Sequence, residues 1–322
     1  MVSGARQAIV TGFIAVLLMI LPGNAAKAEA HTPGGCQQAY GSLDPLDTLP
    51  DRLQTDVAGG DLHTASRYDL LAGRLLVSGF VEGSRNGGGV ALSERSPNGC
   101  GVALSAPAVI EWQNQYNEAI VDASGRLELP PRLVKAVIAV ESQFWPGSDW
   151  GKGEIGLGQL TDAGADMLLA WRPEVYRNIC SQVYGSESCE SAYVDLEPWE
   201  RAAVRGKLLR TIDATCSTCK GGVDLARANQ SISLLAEAIA GSCQQTAYLV
   251  RRSSGKSPAQ HMSYEDFMRL ALANYQVGSG CIDEALRRTS NPGNWSGIAI
   301  NFSPGCRSGI EYIHRIEEQL AP

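Results

Sequence analysis

The chain has little of what several common activities require. It holds four His in 322 residues. None of them forms an His-Glu-x-x-His helix or a close pair with carboxylates, which excludes the usual zinc hydrolase pattern. No Gly-x-Ser-x-Gly elbow and no glycine loop ending in Lys is present, so serine hydrolase and phosphate-cradling templates have no support. Basic runs are missing too. With a net charge of −7 and no Lys/Arg block, nucleic acid is excluded as an expected partner. The acidic surface also gives no electrostatic pull toward an anionic polymer or membrane. Ala8 to Leu21 is the longest apolar run near the start, short of the ~20 residues a bilayer span needs.

That run follows Arg6, is broken by Pro22-Gly23, and leads to Ala26-Lys27-Ala28, with Ala28-Glu29-Ala30 as a second small-x-small site. The pattern is that of an export signal over residues 1–30. An exported, extracytoplasmic chain would use its cysteines as disulfides. Nine are present, an odd count. Plausible pairs are Cys36–Cys100, Cys180–Cys189, Cys216–Cys219 and Cys281–Cys306, although connectivity does not follow from sequence. Cys243 continues the apolar face of Ile232, Leu235 and Ile239, so it is the expected free thiol. Zinc ligation by Cys180, Cys189, Cys216 and Cys219 is the alternative, weakened by the absence of a second close pair. No cofactor and no metal is expected.

Residues 31–106 read as a small glycine-rich, partly β accessory segment. Leu75 to Val81 favours a strand by its β-branched and aromatic content. Gly-Val-Ala-Leu-Ser occurs at Gly89–Ser93 and again at Gly101–Ser105, around the turn signal Ser96-Pro97-Asn98-Gly99. A β-hairpin is the natural reading. From Pro107 the period turns helical: Val109, Trp112, Tyr116 and Ile120 recur at helical spacing. A Cys-rich insertion runs from about 171 to 219, with one helix near Ala202 to Ile212. It offers either a groove wall or a surface for envelope-assembly partners. Asp224 and Ser263 are expected caps of two later helices.

The centre of the chain is Pro130 to Leu160. Pro131 suits the first helical position, and Leu133, Val137, Val140 and Phe144 give a buried helix face. Glu141 interrupts that face near the helix end. Burial and the negative end of the helix dipole both raise a carboxyl pKa, as a general acid near neutral pH requires.

Glu141-Ser142-x-Phe144-x-Pro146, then Gly153, then Gly156-Leu157-x-Gln159 resembles the signature of the soluble lytic transglycosylases and goose-type lysozymes. Ala271 to Gly280 is similar to that family's Ala-Leu-Ala-Ala-Tyr-Asn-Ala-Gly-Pro-Gly block, and Tyr312-Ile313 to its closing helix. The resemblance covers roughly the last two thirds of the chain. It implies a mainly α fold: a lysozyme-like α domain over 107–322, preceded by the small β-containing segment. It also implies cleavage of the MurNAc–GlcNAc β-1,4 bond of peptidoglycan glycan strands. Glu141 would act as acid and then as base while the sugar's 6-hydroxyl closes a 1,6-anhydro ring. Gln159 and Tyr275 would line the sugar groove, with Ser142, Gln276 and Trp150 as further substrate contacts. Gln276 stands where the family has Asn, Gly158 where it has Met, and Trp150 where Ser is usual. Glu154 stands where Ala is frequent. It is either a solvated loop carboxylate or the second acid of a lysozyme-type hydrolase, which needs one ~6.5–9.5 Å away for inversion. A third reading is a wall-binding envelope-assembly protein without catalysis.

Overall fold

A computed structural model describes residues 34–41, 43, 49–82, 90–91, 96–290 and 292–321. The export signal expected over residues 1–30 lies outside the described residues. No helix among those described is long and apolar enough to cross a membrane.

The fold is mainly helical. In chain order the helices are α1 (Cys36–Tyr40), α2 (Asp69–Val77), α3 (Gly99–Asn114), α4 (Asn117–Gly125), α5 (Pro131–Ser142), α6 (Asp162–Trp171), α7 (Pro173–Tyr184), α8 (Pro198–Ile212), α9 (Leu225–Ser254), α10 (Tyr264–Val277), α11 (Ser279–Arg288), α12 (Trp295–Ala299) and α13 (Ser308–Leu320). Two short strands, β1 (Val90–Ala91) and β2 (Ser96–Pro97), pair antiparallel with Val90 opposite Pro97.

The 30-residue α9 is the axis. At 1.5 Å per residue it is about 45 Å long. Asp224 caps its start by accepting from the Ala226 and Arg227 N–H groups, and Gly255 closes its end in the left-handed region. Two apolar cores form along it. The larger one joins Ile232, Leu235, Ile239 and Val250 of α9 to the buried faces of α1 to α5 and α10 to α13. The second joins Ala238 to α6, α7 and α8, including Ile179, Val204, Leu208 and Ile212. The Cys-rich insertion therefore packs in a second core shared with Ile155, Leu160, α6 and Ala238 of α9. Ser263 caps α10 by accepting from the Asp266 N–H, as its capping-box pattern predicts.

Three local expectations change. Leu75 to Val81 is not a strand: residues 69–77 are helical, and Leu71, Ala72, Leu75 and Leu76 bury one face at three-four spacing. A short apolar run does not by itself distinguish the two. The hairpin pairs only β1 with β2, and the second Gly-Val-Ala-Leu-Ser copy opens α3 instead. The cause is Asn98, whose side chain accepts from the Gly101 N–H (2.9 Å) and starts a helix there. The helix expected from Pro107 thus begins eight residues earlier, and breaks between Asn114 and Asn117.

Three of the four expected disulfides are present: Cys180–Cys189, Cys216–Cys219 and Cys281–Cys306. The fourth joins Cys36 to Cys243, and Cys100 is the free, exposed thiol. Cys243 does lie on the buried face of α9, as its spacing indicates, but α1 packs across that face and places Cys36 against it. The zinc alternative is overturned by the same bonds, because disulfide sulfurs are no longer thiolate ligands.

Candidate active site

Helix α5 is buried along nearly its whole length, from Pro131 at its first turn to Ser142 at its last. It ends abruptly. Gln143 and Phe144 both adopt positive φ (47° and 63°), a conformation that costs a side-chain-bearing residue energy. Packing supplies the compensation: Phe144 is fully buried, and its carbonyl accepts from the Trp112 indole N–H (2.9 Å). The turn leaves Glu141 on the final helical turn, facing a cleft.

The following loop is pinned by two small bridges. Asp149 exchanges hydrogen bonds with Glu154 (2.8 and 3.0 Å), and Ile155 with Leu160 (3.2 and 2.9 Å). Gly156 has φ +71°, and a Cβ there would sit 3.1 Å from the Ile212 carbonyl, so any larger residue would be strained and crowded there. Gln159 is again left-handed, at φ 46°, with Nε2 donating to the Gly156 carbonyl (2.6 Å). Among the described residues, three of the four non-glycine residues with positive φ therefore belong to the turns beside this cleft.

The cleft has two lobes that meet at Glu141, Glu154 and Gln159. The larger, about 390 Å³, is lined by Leu70 and Arg74 of α2, Trp145 and Ser148 of the loop, and Thr215 and Val223 beside the Cys216–Cys219 disulfide. The smaller, about 120 Å³, is lined by Leu160, Thr161, Tyr275 and Gln276. Both the N-terminal segment and the Cys-rich insertion thus contribute walls of the cleft; a groove wall is one of the two roles the sequence offers for the insertion, whereas the N-terminal segment's part is not legible there.

Burial raises the Glu141 carboxyl from its ordinary value of 4.5 to about 7. The Tyr312 hydroxyl and the Arg315 charge oppose that rise, and the charge of Glu154 adds to it. Oε1 of Glu141 is buried without a hydrogen-bond partner, and so is the Tyr312 hydroxyl. The phenol stands beside the acid without closing a bond of ordinary geometry. Tyr275, on α10, donates to the Gly158 carbonyl (2.7 Å) and senses the Glu141 charge, which with burial pushes its own pKa up. Such a carboxyl, protonated near neutrality on a residue that lines a cleft, is equipped to deliver a proton.

The expected site residues fall into different places. Glu141, Glu154, Gln159, Tyr275 and Gln276 come together around the junction of the lobes. Ser142 lines the larger lobe, but its hydroxyl bonds back to the Ile138 carbonyl (3.1 Å). Trp150 lines neither lobe; its indole N–H donates to Asp213 Oδ2 (2.9 Å) and ties the loop to the end of α8. Trp145 takes the position at the cleft wall, stacked on Trp112. Tyr312 and Arg315 are the residues sequence reasoning passed over: the closing helix was visible, its chemical role was not. Among the described residues no group of three or more His, Cys, Asp or Glu is placed to hold a metal ion.

Tyr312→Phe removes the hydroxyl that favours the ionised acid. The Glu141 pKa is expected to rise further, because the hydroxyl is one of the groups that hold it down. Carboxyl-carbon NMR titration of the two proteins measures it; an unmoved or lowered midpoint contradicts the assignment.

No protein-family model, no curated protein and no solved structure matches this chain.

Proposed function

We propose that the protein is a peptidoglycan lytic transglycosylase. It would cleave the MurNAc–GlcNAc β-1,4 bond and leave a 1,6-anhydro-MurNAc end. The observation that carries this reading is the Glu141 carboxyl, raised to about 7 and unpartnered at Oε1, at the junction of a two-lobed cleft. Glu141 protonates the leaving glycosidic oxygen, then takes the proton of the sugar's 6-hydroxyl as it closes on the anomeric carbon. One carboxyl thus serves both steps. Gln159 and Tyr275 line the same lobe as Glu141, and on this reading they would hold the sugar. Four disulfides agree with an oxidising compartment and hence with action outside the cytoplasm.

One observation favours a second reading, hydrolysis of the same bond. Glu154 lines both lobes and its charge acts on Glu141, as a water-activating carboxylate would. Mass spectrometry of soluble muropeptides separates the two, because anhydro products are lighter by one water. The expected result is anhydro products from wild type and from Glu154→Gln alike. Hydrated products lost on Glu154→Gln would establish the hydrolase. Wall binding with no muropeptide release would leave only the non-catalytic, envelope-assembly role.

A further inference from the structure

A second cavity, of about 570 Å³, lies against a different face of α5 and shares no lining residue with the cleft of Glu141. Its volume is that of a small-molecule pocket. Ala136, Ala139, Phe144 and Leu62 form an apolar floor, and Thr64, Ser66 and Gln319 a polar rim.

The charges in this cavity are unusual. Lys135 is 4% exposed, and its ammonium has only neutral acceptors: the Leu62 carbonyl (2.5 Å), Asn114 Oδ1 (2.7 Å) and Asn117 Oδ1 (2.8 Å). Among the described residues no carboxylate comes within ion-pair distance of it. Burial of the unneutralised charge pushes its pKa down to about 7. Arg132, four residues before Ala136 on α5, also lines the cavity, and its Nε is buried without a partner. Arg52 is already paired with Glu265 (2.6 Å), and Asp51 is the single carboxylate of the lining, exposed at the mouth. Among the described residues the cavity therefore holds two cations that no anion answers, above a floor suited to a few carbons. Retaining a buried ammonium without a counterion is expensive, and an anionic ligand offsets that cost.

We propose that this cavity is a second binding site, separate from the Glu141 cleft, for a small carboxylate-bearing ligand whose carboxylate pairs with Arg132 in the field of Lys135. The site rests on no assumption about the reaction at Glu141. Acidic peptides and aliphatic acids share this chemistry, and the polar rim favours the peptide.

Isothermal titration at pH 6 with N-acetyl-Ala-Glu, with hexanoate and with hexanamide tests the site on the whole protein. The dipeptide is expected to bind, more tightly than hexanoate, and hexanamide not at all. Arg132→Gln, on a half-exposed side chain, is expected to weaken dipeptide binding roughly tenfold to a hundredfold, as for loss of a charged hydrogen bond. Ala139→Leu, which keeps every charge and fills the floor, is expected to abolish binding while circular dichroism shows the fold retained. Glu141→Gln is expected to bind as wild type does, whatever it does to catalysis. Tighter binding of hexanoate than of the dipeptide would assign the site to aliphatic acids. Equal binding of hexanamide and hexanoate, no response to Arg132→Gln, or loss of binding on Glu141→Gln would overturn the proposal.

Discussion

Glu141→Gln is expected to lower muropeptide release by at least about a thousandfold, within the range that general acid–base groups supply. The variant should fold, since the amide is neutral like the protonated acid it replaces. It should also be more stable than wild type in alkali. The carboxyl titrates at about 7 in the folded chain and near 4.5 when exposed. Below pH 4.5 both states hold the proton and nothing is lost. Between 4.5 and 7 the folded state keeps a proton that the unfolded state has released, so wild-type stability falls as pH rises. By pH 8 the loss is on the order of 3 kcal/mol. Glutamine does not titrate. Thermal melts of the two proteins at pH 4 and pH 8 should therefore coincide more closely at the lower pH, with the variant ahead at the higher. Wild-type kcat/KM is expected to fall above pH 7, where the acid gives up its proton before reaching substrate. A variant that remains active, or that loses stability equally at both pH values, would remove Glu141 from the role proposed for it.

Cys36→Ser is expected to cost about 3–5 kcal/mol. Cys36 and Cys243 are both fully buried and lie 207 residues apart in sequence, and closing so long a loop restricts the unfolded chain strongly. Urea denaturation of wild type and variant measures the difference. Cys100→Ser is the control: its thiol is exposed and unpaired, so a change within about 0.5 kcal/mol is expected. A denaturation midpoint unmoved by Cys36→Ser would mean that the bond contributes nothing.

Legibility in the sequence followed the range of the interaction. Glu141, Gln159 and Tyr275 stood out because their neighbours form linear patterns, and the structure groups all three at one cleft. The caps Asp224 and Ser263 were readable for the same reason: each bonds to backbone within three residues. Leu70 and Arg74, by contrast, sit on α2 in no linear pattern with Glu141, and only the packing of that helix carries them to the cleft wall. The Cys36–Cys243 bond depends on α1 crossing α9, which no local spacing encodes. Asn98 is a subtler case. Next to Pro97 and Gly99 it signals a turn, and the same side chain is equally a helix cap; the structure uses it as the cap.

The acid sits on α5, but Tyr275 comes from α10, and Tyr312 from α13, 171 residues further along. Helix α13 packs directly against α5. A partly synthesised or partly unfolded chain would carry Glu141 in water, ionised and no better as an acid than any surface glutamate. Docking of α13 brings Tyr312 and Arg315 to Glu141, and both hold its carboxyl below the value that burial alone would give; proteolysis that loosens α13 should therefore shift the pH at which that acid titrates.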